Sequence, residues 1–474
     1  MRVSAPNLRT SKLNTSSDLL IELLMRLDRP QFRIAELERY FTGTQALAFL
    51  SPDQRTALDR FGRMASNIPR LAVTSLTERL RVSGFTGADV WRDWLANDLD
   101  QQSDIAHQEA LTFGSSYVIV WGRSGKPQVS IESPKQVAVI RDPGSRKVLR
   151  AVKRWHSNIG GKAETWAVAY YPDHIETWYA DQAAAAGAAL DLVSEIDNPL
   201  GVVPVIPLTN SVLLDGVGPD LGYLYDYGYS EIHDLIPLVD GLNKLLTDML
   251  VTAEFSARPR RFAIGVQLVE EPVLDDEGNP TGETVAVNPI PESNRAMISE
   301  NENAKFGQLD AADLTGYENA VNVLLGQIMA VSALPGHFLG IMTDNPASAD
   351  AIRGSEASLT ARAEARQKNF GRAWEQVARL MVAVRDGTDP ADVDVQVQWA
   401  PADTRSESQE ADAATKLYQA GILSRAGTLR RLGFSADQIK QELLDKRAEL
   451  LSEDPIGHYT ATNDPRVQLA NEGN

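Results

Sequence analysis

The chain is 474 residues long, enough for roughly two to four domains and a sizeable buried core. Its hydrophobic fraction of 43% is that of an ordinary globular protein; no run of about 18 apolar residues offers a membrane span, and Met1-Arg-Val-Ser-Ala-Pro lacks the apolar core of a signal peptide. The absence of cysteine excludes disulfides, thiolate metal sites and a thiol nucleophile, and a formal net charge of −18 excludes a surface that is basic on every side.

In chain order, residues 1–15 read as a mobile arm. Leu19, Leu20, Leu23, Leu24 and Leu27 then form a helical stripe, with Ser16, Ser17 or Asp18 as caps and Pro30 as its stop. Further helices are expected at 33–41, 52–65, 74–83 and 88–112, the last with a break near Asp100. The period changes after Gly114. Short β-rich runs at 117–121, 128–131, 137–140, 148–152, 165–170 and 175–179 are separated by turn residues, which predicts an antiparallel meander. Residues 181–190 are Ala-rich and read as a loose loop or short helix, followed by an extended Val205-Ile206. Together, 16–227 read as an α+β domain.

From Leu235 to Ala253 a wide apolar stripe predicts a helix, with Pro237 tolerable only near its start and Arg258-Pro259 as its end. Strands are expected at 261–267 and 284–290 around a hairpin tip at Asp275-Asp-Glu-Gly-Asn-Pro-Thr-Gly, with 300–312 irregular. Leu314, Tyr317, Val321, Leu324, Ile328 and Val331 mark a second helix. A loop broken by two glycines and two prolines, Pro335 to Pro346, then feeds a very long helix at 346–384. Asn345 is a candidate N-cap, Pro346 suits the first helical position, and Gly354 and Gly371 are candidate bends. Ile352, Leu359, Ala363, Phe370, Trp374, Val377, Met381 and Val384 share one face of that helix. Its basic residues, Arg353, Arg362, Arg366, Lys368, Arg372, Arg379 and Arg385, outnumber its acids; they read either as a solvated face or as partners of acidic surfaces on adjacent subunits. Val393 to Trp399 alternates as a strand. Short helices follow at 411–420, 426–432 and 436–451, and the tail from Ser452 reads as disordered.

Catalytic signatures are missing. The histidines His107, His156, His174, His233, His337 and His458 show no ligand spacing. Gly160-Gly161-Lys162 lacks the earlier glycine and the following Ser/Thr of a phosphate loop, since position 156 is His and 163 is Ala. Asp275, Glu277 and Asn279 alternate like a calcium loop, but Pro280 stands where the turn needs Gly and Ala286 where the loop needs Glu. No cofactor is expected, and the chain does not read as an enzyme.

The turn Leu334-Pro-Gly-His-Phe-Leu-Gly, then Asp344-Asn-Pro-Ala-Ser-Ala-Asp-Ala-Ile-Arg, Ser355-Glu-Ala-Ser-Leu and Lys368-Asn-Phe-Gly-Arg-Ala-Trp, resembles the portal protein of tailed bacteriophages. The type is that of long, non-contractile-tailed phages of actinobacteria. The resemblance implies an α+β portal fold that assembles as a ring, in virions a dodecamer. Along the chain it implies a flexible arm at 1–15, a wing at 16–227, a stem helix at 228–257, a β-rich clip at 258–312 and a second stem helix at 313–332. A tunnel loop at 333–345, a long wing helix and return strand at 346–400, a helical crown at 401–452 and a flexible tail at 453–474 complete it. By the same resemblance His337, Phe338, Leu339, Ile341, Met342, Thr343, Asp344 and Asn345 would approach DNA in the channel. Arg258, Arg260 and Arg261 would form a basic stem–clip junction, contacting DNA phosphate or a neighbouring subunit if they are not simply a solvated helix end. Leu242, Leu246, Met249, Tyr317, Leu324, Ile328, Phe370 and Trp374 would lie on helices that pack between subunits.

The implied partners are further copies of the chain, double-stranded DNA in transit, the terminase large subunit, the head–tail adaptor, and the major capsid and scaffold proteins, with no membrane. The implied locations are the portal vertex of the virion and, during assembly, the host cytoplasm. An acidic channel protein would repel its cargo rather than grip it. The alternatives are another oligomeric viral structural or adaptor protein without a DNA conduit, and a DNA-processing enzyme.

Overall fold

A computed structural model describes residues 16–46, 65–123, 125–142, 144–159, 161–183, 189–210, 227–257, 261–265, 269–274, 280–287, 303–308, 314–340, 349–403, 407–434 and 436–453. The expected arm at 1–15, all but the last residue of the helix expected at 52–65, and the cap residues Asn345 and Pro346 lie outside them, as does the tail expected from Ser452 apart from Ser452 and Glu453, which end a helix. The chain divides into two compact units. The first comprises Met1–Gln45, Asn67–Pro237 and Ile328–Asn474, and the second Ala46–Ser66 and Leu238–Gln327.

In the first unit, α1 (Ser16–Asp28) lays its leucine stripe on a five-stranded antiparallel sheet. The sheet runs in sequence order through β4 (Val137–Arg141), β5 (Val148–Ile159), β6 (Lys162–Tyr170), β7 (His174–Ala180) and β8 (Asp191–Asp197). Leu20, Leu23, Leu24 and Leu27 are buried against Ala138, Val152, Ala167, Ala169 and Trp178, and Arg150 pairs with Glu22 at 2.8 Å along the rim. The expected single meander is therefore two sheets. β2 (Ser115–Arg123) sits between β3 (Lys126–Glu132) and β9 (Val205–Thr209) in a separate three-stranded sheet. The split falls at the turn Ser133–Gln136, where Pro134 can donate nothing to a ladder.

The larger core of this unit forms around α8 (Ala349–Asp386). At 38 residues it is about 57 Å long and runs through Gly354 and Gly371 without interruption. Leu359, Ala363, Phe370, Trp374, Val377 and Met381 bury its apolar face, as their spacing predicts, while Ile352 remains 40% exposed. Around that face the core is completed by α3 (Ile68–Thr77), α4 (Trp91–Ala96) and α5 (Leu99–Phe113), with β2 and β9, and α2 (Gln31–Thr42) packs on α3 and α5. The helix expected at 74–83 is thus α3, which starts and ends six residues earlier in the chain and is followed by a strand, β1 (Val82–Thr86), which pairs antiparallel with β14 (Gln396–Trp399). The break expected near Asp100 is at Asn97–Asp98, where Asp98 takes a left-handed φ of 53°. Gly371 faces this strand pair: a Cβ there would lie 3.1 Å from Val397 and 3.3 Å from the Trp399 indole nitrogen, so a larger residue would crowd these side chains by a few tenths of an ångström. After β14 come α9 (Glu407–Gln419), α10 (Arg425–Arg431) and α11 (Ala436–Glu453).

The chain enters the second unit within α6 (Ile236–Ala257) and leaves it within α7 (Thr315–Ser332). Pro237 sits in the first turn of α6, where its missing N–H is harmless. Between the helices lie two antiparallel pairs: β11 (Val269–Leu274) with β12 (Pro280–Val287), and β10 (Arg261–Ile264) with β13 (Lys305–Gln308). The expected hairpin is real, but its first strand is 269–274 rather than 261–267. The latter finds its partner in the stretch that sequence alone left irregular. Asn243 Oδ1 accepts from the backbone N–H (2.8 Å) and hydroxyl (3.0 Å) of Ser66, and Tyr317 shares a 3.2 Å hydrogen bond with Thr252.

Candidate functional site

The sequence singles out the turn between α7 and α8, and the described part of it is its root. α7 ends at Ser332, whose hydroxyl donates to the Ile328 carbonyl at 2.7 Å and accepts from the Leu334 N–H at 3.2 Å. Ala333 is left-handed at φ 59°, a conformation costing a non-glycine residue about 1–2 kcal/mol. It is held there from both sides. Leu334 is buried, and Arg362 of α8 donates to the carbonyls of Val331 (2.9 Å) and Ser332 (3.1 Å), two of the acceptors a helix end leaves open. A single-turn 3-10 helix follows, Gly336–Leu339, and Gly340 leaves it at φ 75°.

Two side chains fasten this turn. Phe338 packs against the main core. His337 places Nε2 3.3 Å from Glu356 Oε1 in the second turn of α8. Glu356 is itself buried and receives Arg79 on its other oxygen at 3.0 Å, while Arg79 also donates to the Ala402 carbonyl at 2.8 Å. Glu231, partly buried, accepts from Arg366 (Nε at 3.0 Å), from Asn210 at 3.0 Å and from Arg362 at 3.4 Å. Three of the basic residues of α8 thus have partners within one chain: Arg362 and Arg366 close on Glu231, and the partly exposed Arg385 on Asp93 and Asp386.

One floor below lies an aromatic cluster that sequence reasoning did not assemble. Trp374 meets Trp94 edge-on at 5.0 Å, and its indole N–H donates to His107 Nε2 at 2.8 Å. His107 stacks on Phe370 at 5.5 Å and touches Trp399 at 5.6 Å. Complete burial pushes the His107 pKa down to about 3, so the ring is neutral and can accept. Nothing in its spacing marked His107, because its partners come from α8 and β14.

The expected site residues separate as follows. Of the loop set, His337, Phe338 and Leu339 are in the 3-10 turn and half-buried, while Ile341, Met342, Thr343, Asp344 and Asn345 lie outside the described residues. Phe338 is half-buried and packs against the main core. Arg258 and Arg260 also lie outside; Arg261 opens β10 opposite Gln308. Of the residues expected between subunits, Leu242, Ile328, Phe370 and Trp374 are at most 2% exposed in the single chain and have no surface to offer a neighbour. Leu246, Met249, Tyr317 and Leu324 are half-buried. Among the described residues, the large apolar side chains that stand exposed on α6 and α7 are Leu250 (39%) and Val323 (65%). Among the described residues there is no cluster of metal-ligating side chains, and no helix is long and apolar enough to cross a membrane.

Residues 61–453 match the family described as phage portal protein, SPP1 Gp6-like. The portal proteins of Mycobacterium phage D29 and Mycobacterium phage L5 are each 30% identical to the chain, over 389 and 392 residues. These alignments cover 77% and 78% of this chain and 76% of each relative. Among solved structures, the neck of an empty gene transfer agent particle computed with C6 symmetry aligns with a TM-score of 0.46 and 13% identity, over 82% of this chain and 95% of that one. The neck of the native particle computed with C12 symmetry aligns at 0.43 and 14% identity, over 85% and 99%. With a family match that spans most of its length, the chain belongs to the phage portal proteins.

Proposed function

We propose that the protein is a structural portal subunit. Copies close through repeated heterologous contacts into a ring at one capsid vertex, and double-stranded DNA passes through its centre during packaging and ejection. The terminase large subunit docks on this ring during packaging and the head–tail adaptor afterwards, with major capsid and scaffold proteins around it during assembly in the host cytoplasm. The observation that carries this reading is the family match over 61–453, which takes in the helix, strand module, helix, loop and long helix in one continuous order. The unit Leu238–Gln327 fits a stem and clip, the sheets with α8 fit a wing, and Glu407–Glu453 fits a crown. A net charge of −18 suits a conduit that must release its cargo. The sequence carries no phosphate-binding loop, so the energy for packaging is assigned to the terminase.

The test is reconstitution. Proheads assembled with and without this protein are given terminase, ATP and phage DNA, and nuclease-protected DNA is measured. Protection is expected only when the protein is present; equal protection without it would overturn the proposal.

A further inference from the structure

We propose that Glu356 is a positioning residue. It sets the placement of the turn at 336–340 and ties that turn to the segment 400–402, from which the C-terminal helices follow. This deepens the reading of 337–345 as the stretch that approaches DNA, and rests on it.

The geometry is a chain of four groups. His337 Nε2 lies 3.3 Å from Glu356 Oε1, Arg79 Nη2 lies 3.0 Å from Glu356 Oε2, and Arg79 Nη1 donates to the Ala402 carbonyl at 2.8 Å. A parallel strut runs alongside. Gln367, three turns further along α8, donates to the carbonyls of Arg79 (3.0 Å) and Ala400 (3.1 Å). Both carboxylate oxygens of Glu356 are thus engaged, and the side chains of Arg79 and Glu356 are each only 8% exposed.

Burial makes this arrangement informative. An ion pair out of water gains little net stability over apolar residues of the same volume, because desolvation offsets the attraction. What the pair supplies that a leucine could not is direction: a hydrogen-bonded carboxylate fixes where its partners sit. Here the partners come from the loop root, from the α3–β1 turn and from the segment after β14. The other fastener of the turn, Phe338, is apolar and does not fix orientation. Gly340 follows at a left-handed φ with open space around it, so beyond His337 no side chain of the turn is anchored by a polar contact among the described residues.

The experiment uses the full-length assembled protein. Hydrogen exchange is followed in peptides covering 334–340 and 398–403, together with thermal stability. In His337→Gln, exchange at the Phe338 and Gly340 amides is expected to rise about tenfold, with 398–403 unchanged. In the double variant Arg79→Met, Glu356→Leu, which removes both charges at similar volume, exchange is expected to rise in both segments with little change in melting temperature. Wild-type exchange at 334–340 in the double variant would overturn the proposal. Should that variant fail to fold, His337→Gln decides alone, and unchanged exchange at Phe338 and Gly340 overturns it. DNA retention by particles carrying His337→Gln is measured in parallel. Faster exchange with unaltered retention would keep the positioning role and remove the DNA reading of this turn. Altered retention with unaltered exchange would do the reverse.

Discussion

Trp374 and His107 show how a single pair can serve folding without touching function. Both are fully buried, and each meets a polar need of the other: the indole has a donor to place, and Nε2 of the neutral imidazole an acceptor to offer. Trp374→Ala should cost about 3–5 kcal/mol in denaturant unfolding, the usual range for an aromatic removed from a core, and Trp374→Asp should yield no soluble folded subunit. Loss of rings from a Trp374→Asp subunit that stays folded would contradict this placement. The same pair predicts a pH dependence. His107 titrates near its ordinary 6.5 in the unfolded chain and near 3 in the folded one, so the unfolded state binds the extra proton between those values. Stability should therefore fall as pH drops from about 6.5 towards 3. His107→Phe should flatten that fall over pH 6.5 to 5, measured as the melting temperature against pH; an unchanged slope would remove His107 from the account.

The elements differ in how far their sequence betrays them. The long helix was legible because its stripe recurs over ten turns with no proline inside, and the leucine stripe of α1 because it is dense. β1 was not. Val82-Ser-Gly-Phe-Thr carries too little alternation to announce a strand, and what makes it one is β14 at the far end of the chain. β8 was hidden for a different reason. Asp191, Glu195 and Asp197 mask the alternation of Leu192, Ser194 and Ile196, and every residue of this edge strand is exposed. At the loop, sequence located the turn but not its fastening, because Glu231, Glu356 and Arg79 are remote from it in the chain. That fastening predicts a contrast. Glu231→Ala strands two arginine charges in a partly buried site and should cost about 3–5 kcal/mol. Arg372→Ala removes an 81% exposed side chain from an i,i+3 pair and should change stability by less than about 0.5 kcal/mol. Equal effects in urea unfolding would contradict the assignment of Glu231 as a structural hub.

For the whole molecule, what matters is which apolar surface a single chain leaves uncovered. Of the residues expected on helices that pack between subunits, Leu242, Ile328, Phe370 and Trp374 are buried within the single chain and Leu246, Met249, Tyr317 and Leu324 are half-buried, whereas Val323 and Leu250, and Phe262, Ile264, Val285 and Phe306 on the short strand pairs, stand open. Val323→Asp should thus leave the melting temperature of the monomer near wild type and lower the fraction assembled. Unfolding of the monomer would contradict the exposure, and full assembly would remove this face of α7 from the interface. The overall charge sets a second expectation: at about 0.15 M salt the assembled protein should not shift the mobility of linear double-stranded DNA, because a net charge of −18 opposes the phosphate contacts whose counterion release drives such binding. The central claim, that this chain is a ring-forming conduit, is tested most directly by imaging. The protein is co-expressed with its capsid and scaffold proteins, and the particles are examined by electron microscopy with the protein labelled. The account predicts one ring with a central hole, labelled, at a single vertex of each prohead. Closed proheads carrying the label at every vertex, or none, would contradict it.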